Sequence, residues 1–161
     1  MSGPRTSPLR TALVFIGLSL PALGATQALA STEFRGGGYL SRFENCEAAG
    51  WTTGIETILV RFRPAGLEGN NPDNDSITFV YASGAANFFG PVSAADDGFA
   101  NVTSTMIWSS AWQQNMTRIR VDYSSERNIN EATTNGYLTI TMENLEVEGC
   151  TAQANFAYAR R

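Results

Sequence analysis

Three acidic side chains, Glu68, Asp73 and Asp75, fall within eight positions among turn-forming residues (Gly66, Gly69, Asn70, Asn71, Pro72 and Asn74). Oxygen ligands gathered in this way suit Ca²⁺, which takes six to eight of them, so these three are the candidate metal ligands and Ca²⁺ the one candidate cofactor. The spacing is not that of an EF-hand. In a loop counted from Asn71, the sixth position is Ser76 where glycine is needed, and the twelfth is Ala82 where a bidentate glutamate is needed. A solvated connecting loop is the simpler expectation. Asp96-Asp97-Gly98 offers a second pair of carboxylates for acid–base work, although a turn explains it equally well.

Two tryptophans, Trp51 and Trp112, stand in loop-like contexts between strand patterns. An aromatic ring on display can stack on the apolar face of a sugar while Asn, Asp and Arg fix its orientation. These two are the candidate ligand-stacking residues. Arg61 and Arg63 share one face of a strand pattern; solvation accounts for them, and together they could also hold a carboxylate or phosphate. Gly36-Gly37-Gly38 reads as a hinge leading into the first strand. A phosphate cradle would need a helix to follow it, and Tyr39 to Phe43 reads as a strand.

The composition excludes much chemistry. The chain has no histidine, and every basic residue is arginine. A Ser-His-Asp or Cys-His nucleophile cannot be built, nor can an imidazole zinc site, a lysine Schiff base or a P-loop. Carboxylates, tyrosines, arginines and hydroxyls remain, so no catalytic residue is assigned.

The first 30 residues read as a cleavable Sec-type signal peptide. Arg5 and Arg10 precede an apolar run from Thr11 to Leu20, Pro21 and Gly24 break it, and Ala28-Leu29-Ala30 places cleavage between Ala30 and Ser31. The run is well short of the ~20 apolar residues a spanning helix needs. Localisation is then periplasmic or extracellular. Residues 31–161 form a single domain in which 9 arginines face 15 acidic residues, a net charge of −6. Such a chain is a poor match for nucleic acid. In an oxidising compartment Cys46 and Cys150 are expected to form one disulfide.

These side chains are carried by strands. Alternation of apolar and polar residues marks Tyr39–Phe43, Ile55–Arg63, Ser76–Ser83, Val102–Trp108, Thr117–Tyr123 and Ala154–Ala159, with a short apolar piece near Phe88-Phe89. Gly136 to Cys150 reads as one strand, bulged near Glu143-Asn144 where its apolar phase flips. In Thr117–Tyr123 the alternation puts Thr117, Ile119, Val121 and Tyr123 on the buried face. Seven to nine strands without an amphipathic helix predict an all-β fold. The expected form is an antiparallel jelly-roll-like β-sandwich with its terminal strands held side by side by the disulfide, and the alternative is a small β-barrel.

The functional expectation is an exported, non-catalytic module, binding or structural, with a glycan or protein as its partner. A secreted hydrolase using a carboxylate pair is the alternative, and a buried glutamate of raised pKa in a cleft would favour it. A small outer-membrane barrel is a third, opposed by the charges of Arg118, Arg120 and Asp122 on a face that lipid would require to be apolar.

Overall fold

The computed structural model describes residues 31–52, 54–92, 98–108, 112–126 and 128–161, with the side chains of residues 108, 112 and 113 excepted. Residues 1–30, where a signal peptide ending at Ala30 is expected, and the Asp96-Asp97 pair lie outside the described residues.

Eight strands follow one another: β1 (Phe34–Glu44), β2 (Glu56–Arg63), β3 (Asp75–Tyr81), β4 (Gly84–Gly90), β5 (Ala100–Trp108), β6 (Trp112–Ser124), β7 (Asn135–Glu143) and β8 (Thr151–Arg160). A short 3₁₀ turn, Glu47–Ala49, interrupts the link from β1 to β2. Each strand pairs antiparallel with the next, and β8 pairs back onto β1, from Phe34 opposite Arg160 to Glu44 opposite Thr151. The fold is therefore a closed up-and-down barrel and not the jelly-roll sandwich expected. Alternation shows which face of a strand is buried, and both architectures bury one face. What separates them is whether the two free edges meet, and closure satisfies the backbone groups those edges would expose.

The inward positions fill the lumen. Phe34, Phe62, Phe79, Phe88 and Phe156 are fully buried, together with Leu40, Ile58, Ile77, Met106, Ile119, Ile140 and Met142. Their rings meet edge-on or tilted, with Phe79 5.4 Å from Phe88 and 5.6 Å from Phe156, and Tyr158 5.4 Å from Phe34 and 5.5 Å from Phe62. Interior side chains of this size pack a narrow eight-stranded barrel.

Glycine makes that packing possible where the barrel closes. Tyr158 lies opposite Gly36 in β1 and Gly136 in β7, and Phe156 lies opposite Gly38. A Cβ on Gly36 would stand 1.8 Å from the Ala157 carbonyl oxygen, and one on Gly38 would stand 1.9 Å from that of Asn155. The glycine run therefore lies within the first half of β1 and is not a hinge. The segment before it is tied down as well, since the Thr32 amide donates to the Glu68 carbonyl and the Arg161 amide to that of Glu33.

Other boundaries move for similar reasons. Gly84 and Ala85 begin β4 after a tight turn at Ala82-Ser83, and β6 starts at Trp112. The stretch from Gly136 to Cys150 is not one bulged strand. β7 ends at Glu143, and Asn144 and Glu146 take left-handed backbone conformations (φ 59° and 64°) within the connection to β8. The register shift falls instead in β6, between Val121 and Tyr123, where Asp122 is the extra residue. That bulge turns Tyr123 outward, against the expectation of a buried face.

The Cys46–Cys150 disulfide forms as expected, with a Cα–Cα distance of 4.6 Å, and joins the end of β1 to the start of β8. The outer wall carries charge: Arg118 pairs with Glu143 at 2.7 Å, and Arg120 with Asp122 at 2.8 Å. Elsewhere the outer wall is apolar, with Leu59, Val80 and Ile107 exposed along one row through Ala85, and Phe89 and Met116 exposed as well.

Candidate functional site

A lumen filled with side chains leaves the ends and the outer wall for chemistry. At the end that carries the disulfide, Trp51 stacks on Phe43 (centroids 5.1 Å apart, planes at 9°) and makes an edge contact with Tyr81 at 5.0 Å. The ring is engaged within the protein, against the rim of the core. Trp112 opens β6, and its side chain lies outside the described residues.

The acidic loop between β2 and β3 closes on itself. Asp75 is buried, and its Oδ1 accepts the Ala65 amide at 2.8 Å. Asn71 Oδ1 accepts the amides of Asp73 and Asn74, and Asn70 donates to the Thr32 and Pro64 carbonyls. Glu68 is exposed and uses its amide to reach Glu131 Oε1. Among the described residues, no three acidic or cysteine side chains converge as metal ligands. The carboxylates of Glu68, Asp73 and Asp75 are thus not brought together as a Ca²⁺ cage.

The wall of β6, β7, β8 and β1 presents a different group. The register places Tyr123, Thr139, Asn155 and Tyr39 side by side across the four strands, a span of ~14 Å at the usual strand spacing. Tyr137 stands at the next outward position on β7, its ring 6.2 Å from that of Tyr123. Tyr39, Tyr123 and Tyr137 are 41 %, 57 % and 37 % exposed. Between Tyr137 and Leu59 the outward positions are Ala157 and Gly37, so the wall is low beside the rings.

A chain of polar groups runs alongside. The Tyr137 and Thr139 hydroxyls both donate to Asn155 Oδ1, at 3.3 and 3.0 Å. Asn155 Nδ2 reaches Gln153 Oε1 at 3.5 Å, and Gln153 Nε2 donates to Asp122 Oδ2 at 3.3 Å. Asp122 also accepts from Thr141 (2.6 Å) and Arg120 Nε (2.8 Å). Burial works to raise the Asp122 pKa, but the bonds from Thr141, Arg120 and Gln153 outweigh it, and the carboxyl titrates below its ordinary range. The result is a fixed row of hydroxyl, amide and carboxylate groups beside three exposed rings. Tyr137 alternates along the chain with Leu138, Ile140 and Met142, which marks it as outward-facing, whereas the strand pattern of Tyr39–Phe43 assigned Tyr39 no face. Only the bulge at Asp122 brings Tyr123 to them.

The second feature is an open cleft of about 510 Å³ at the disulfide end, lined by Asn115, Met116, Asn144, Glu146, Val147 and Glu148. Glu146 is buried, Tyr81 Oη lies 3.5 Å from its Oε1, and Asn115 Nδ2 donates to its main-chain oxygen at 2.5 Å. The Trp51 Nε1 is buried and makes no hydrogen bond of regular geometry, yet its N–H lies close enough to favour the charged carboxylate. Burial nonetheless prevails and pushes the Glu146 pKa above its ordinary 4.5, against the opposing N–H of Trp51 and O–H of Tyr81. Tyr81 is likewise pushed up, by burial first and then by the Glu146 charge.

A carboxyl that titrates higher in the folded state makes the fold lose stability as pH rises from 4.5 toward the folded value, because the unfolded chain releases its proton first. Between pH 4 and pH 7 the urea midpoint of the native protein is therefore expected to shift downward relative to that of Glu146→Gln. An identical pH response in the two proteins would show that Glu146 ionises without cost.

No family model, curated protein or solved structure matches the chain. The chemistry available to these two features rests on their own groups. The wall offers ring faces with fixed donors and acceptors, which is equipment for binding. The cleft offers a carboxyl biased toward its protonated form.

Proposed function

We propose that the protein is an exported, non-catalytic β-barrel module that binds carbohydrate on the wall formed by β6, β7, β8 and β1. The observation that carries this reading is the placement of Tyr39, Tyr123 and Tyr137, all exposed, around the hydrogen-bonded row from Asn155 to Asp122. Sugars present both apolar C–H faces and directional hydroxyls, and a surface that pairs rings with fixed polar groups matches both. Export is argued from the charged, apolar and small-residue order of residues 1–30, and an intact disulfide suits the oxidising compartment beyond.

The test is a glycan array followed by titration of the best glycan. Tyr39→Ala and Tyr137→Ala are each expected to weaken binding about tenfold, as loss of roughly 1–1.5 kcal/mol of ring contact implies. Phe89→Ala, on the exposed wall of β4, serves as the control and leaves affinity unchanged. Retention of no glycan, or native affinity in both tyrosine variants, refutes the reading.

Glu146 supports a second reading, a carboxylate-based hydrolase. A buried carboxyl of raised pKa is what a general acid requires, and Glu148 lines the same cleft as a second carboxylate. That reading requires hydrolysis of aryl glycosides by the native protein and its loss in folded Glu146→Gln.

A further inference from the structure

Three arginines converge on one carboxylate at the end of the barrel away from the disulfide. Glu33, just before β1, takes Arg35 Nε on Oε1 at 2.5 Å. Its Oε2 takes Arg61 Nε at 2.5 Å and Arg63 Nη2 at 3.1 Å. Among the described residues, every ion pair of these three arginines ends on Glu33, so three guanidiniums share one carboxylate and a local surplus of positive charge remains.

The placement is unfavourable for a merely structural cluster. Arg35 and Arg61 are direct cross-strand partners, and Arg63 is the next outward residue on β2. Like charges directly opposite one another destabilise a sheet, and a single guanidinium would suffice to pair Glu33. The Arg35, Arg61 and Arg63 side chains are 52 %, 47 % and 36 % exposed, while the Glu33 side chain is only 11 % exposed. Each guanidinium presents a planar fork of donors, only part of which Glu33 occupies. Glu33 has its carboxyl held down to a pKa of about 2: burial opposes the shift, and the bonds and charges of Arg35 and Arg61 overcome it. The concentration is local, in a chain whose overall charge is negative. At physiological salt the screening length is about 8 Å, so distant acidic residues do little to cancel it.

We infer that Arg35, Arg61 and Arg63 form an oxyanion-binding site in which the Glu33 carboxylate is the resident occupant, displaced by an incoming carboxylate, sulfate or phosphate group. The site would take a ligand with at least two accepting oxygens, either as a free ion or as a substituent on an acidic glycan. It stands on the arginine geometry and does not depend on the tyrosine wall. The negative charge of the chain as a whole disfavours a long polyanion such as nucleic acid.

The experiment follows the arginine Nε–H resonances by NMR during titration with sodium sulfate, against sodium chloride at matched ionic strength. In the native protein, sulfate moves the signals of Arg35, Arg61 and Arg63 and leaves Arg118 and Arg120 in place. Glu33→Gln removes the competing carboxylate and tightens sulfate binding about tenfold. In the double variant Arg35→Gln/Arg61→Gln, the sulfate-specific response disappears. Galacturonic acid and its oligomers distinguish the sources: a much tighter oligomer marks a glycan-borne anion, and equal affinity marks a free one. The inference is overturned if sulfate acts no differently from chloride in both native protein and Glu33→Gln, and equally if the response survives in the double variant. Should the double variant fail to fold, the native and Glu33→Gln titrations decide alone.

Discussion

Reducing the Cys46–Cys150 disulfide is expected to lower the stability of the barrel by about 4–5 kcal/mol, the chain-entropy figure for a loop of ~100 residues. The bond spans 104 positions, most of the domain, so it constrains the unfolded chain about as strongly as one bond can. It also sits where closure is weakest. Pairing between β1 and β8 runs regularly from Phe34 to Ser41, shifts between Ser41 and Glu44, and meets the bridge just beyond. Reduced, the two buried sulfurs no longer hold the connection from β7 to β8 against the turn after β1. For a chain of this size a 4–5 kcal/mol loss corresponds to a fall in Tm of roughly 15 °C. Thermal melts of the native protein with and without reductant, beside the Cys46→Ala/Cys150→Ala variant, measure it. A fall of only one or two degrees would mean that β1–β8 pairing holds the unfolded ensemble or the fold together without help.

Gly36→Ala and Gly38→Ala are each expected to prevent closure, at a cost on the order of 4 kcal/mol or more. At Gly36 the new Cβ meets the Ala157 carbonyl oxygen at 1.8 Å, and at Gly38 that of Asn155 at 1.9 Å. Both obstacles are backbone atoms of the strand that must pair with β1, so no rotamer change relieves them. The control lies between the two. Gly37 faces outward, where a Cβ would come within 3.2 Å of the Ile58 carbonyl oxygen, a contact that a small shift accommodates. Gly37→Ala should therefore fold with a modest loss, while its neighbours lose near-ultraviolet circular dichroism and cooperative melting. Native-like melts for Gly36→Ala and Gly38→Ala would show that β1 can move away from β8 at little cost.

The same elements show what could be read from residue order. The strands were legible because a half-buried strand must alternate, and Ile58, Val60 and Phe62 in β2 or Ile77 and Phe79 in β3 do so without interruption. The disulfide was legible from a single cysteine pair in a chain whose N-terminal residues read as an export signal. With the terminal strands held side by side, a consistently up-and-down order would already imply closure. Alternation does not report strand order, however, and the sandwich reading assumed crossovers that are absent.

The wall site was half legible. Trp51, nominated by its loop context, stacks on Phe43 and meets Tyr81 edge-on, and it also lines an open pocket with Gly50, Ile55 and Glu56. Tyr123 was assigned to the core because one inserted residue, Asp122, is invisible to a period-2 count and reverses everything after it. Glu33 could not have been linked to Arg35, Arg61 and Arg63, since that contact exists only once β1 lies beside β2.

Residue order by itself determined the all-β class, the cysteine pair, the absence of histidine and lysine chemistry, and most inward-facing residues, because each depends on composition or on neighbours along the chain. Tertiary structure alone decided closure of the barrel, the role of Gly36 and Gly38 beneath Phe156 and Tyr158, the gathering of three tyrosines on one wall, and the arginine cluster around Glu33. Each of these depends on which strand lies beside which, and that is set by register between segments far apart in sequence.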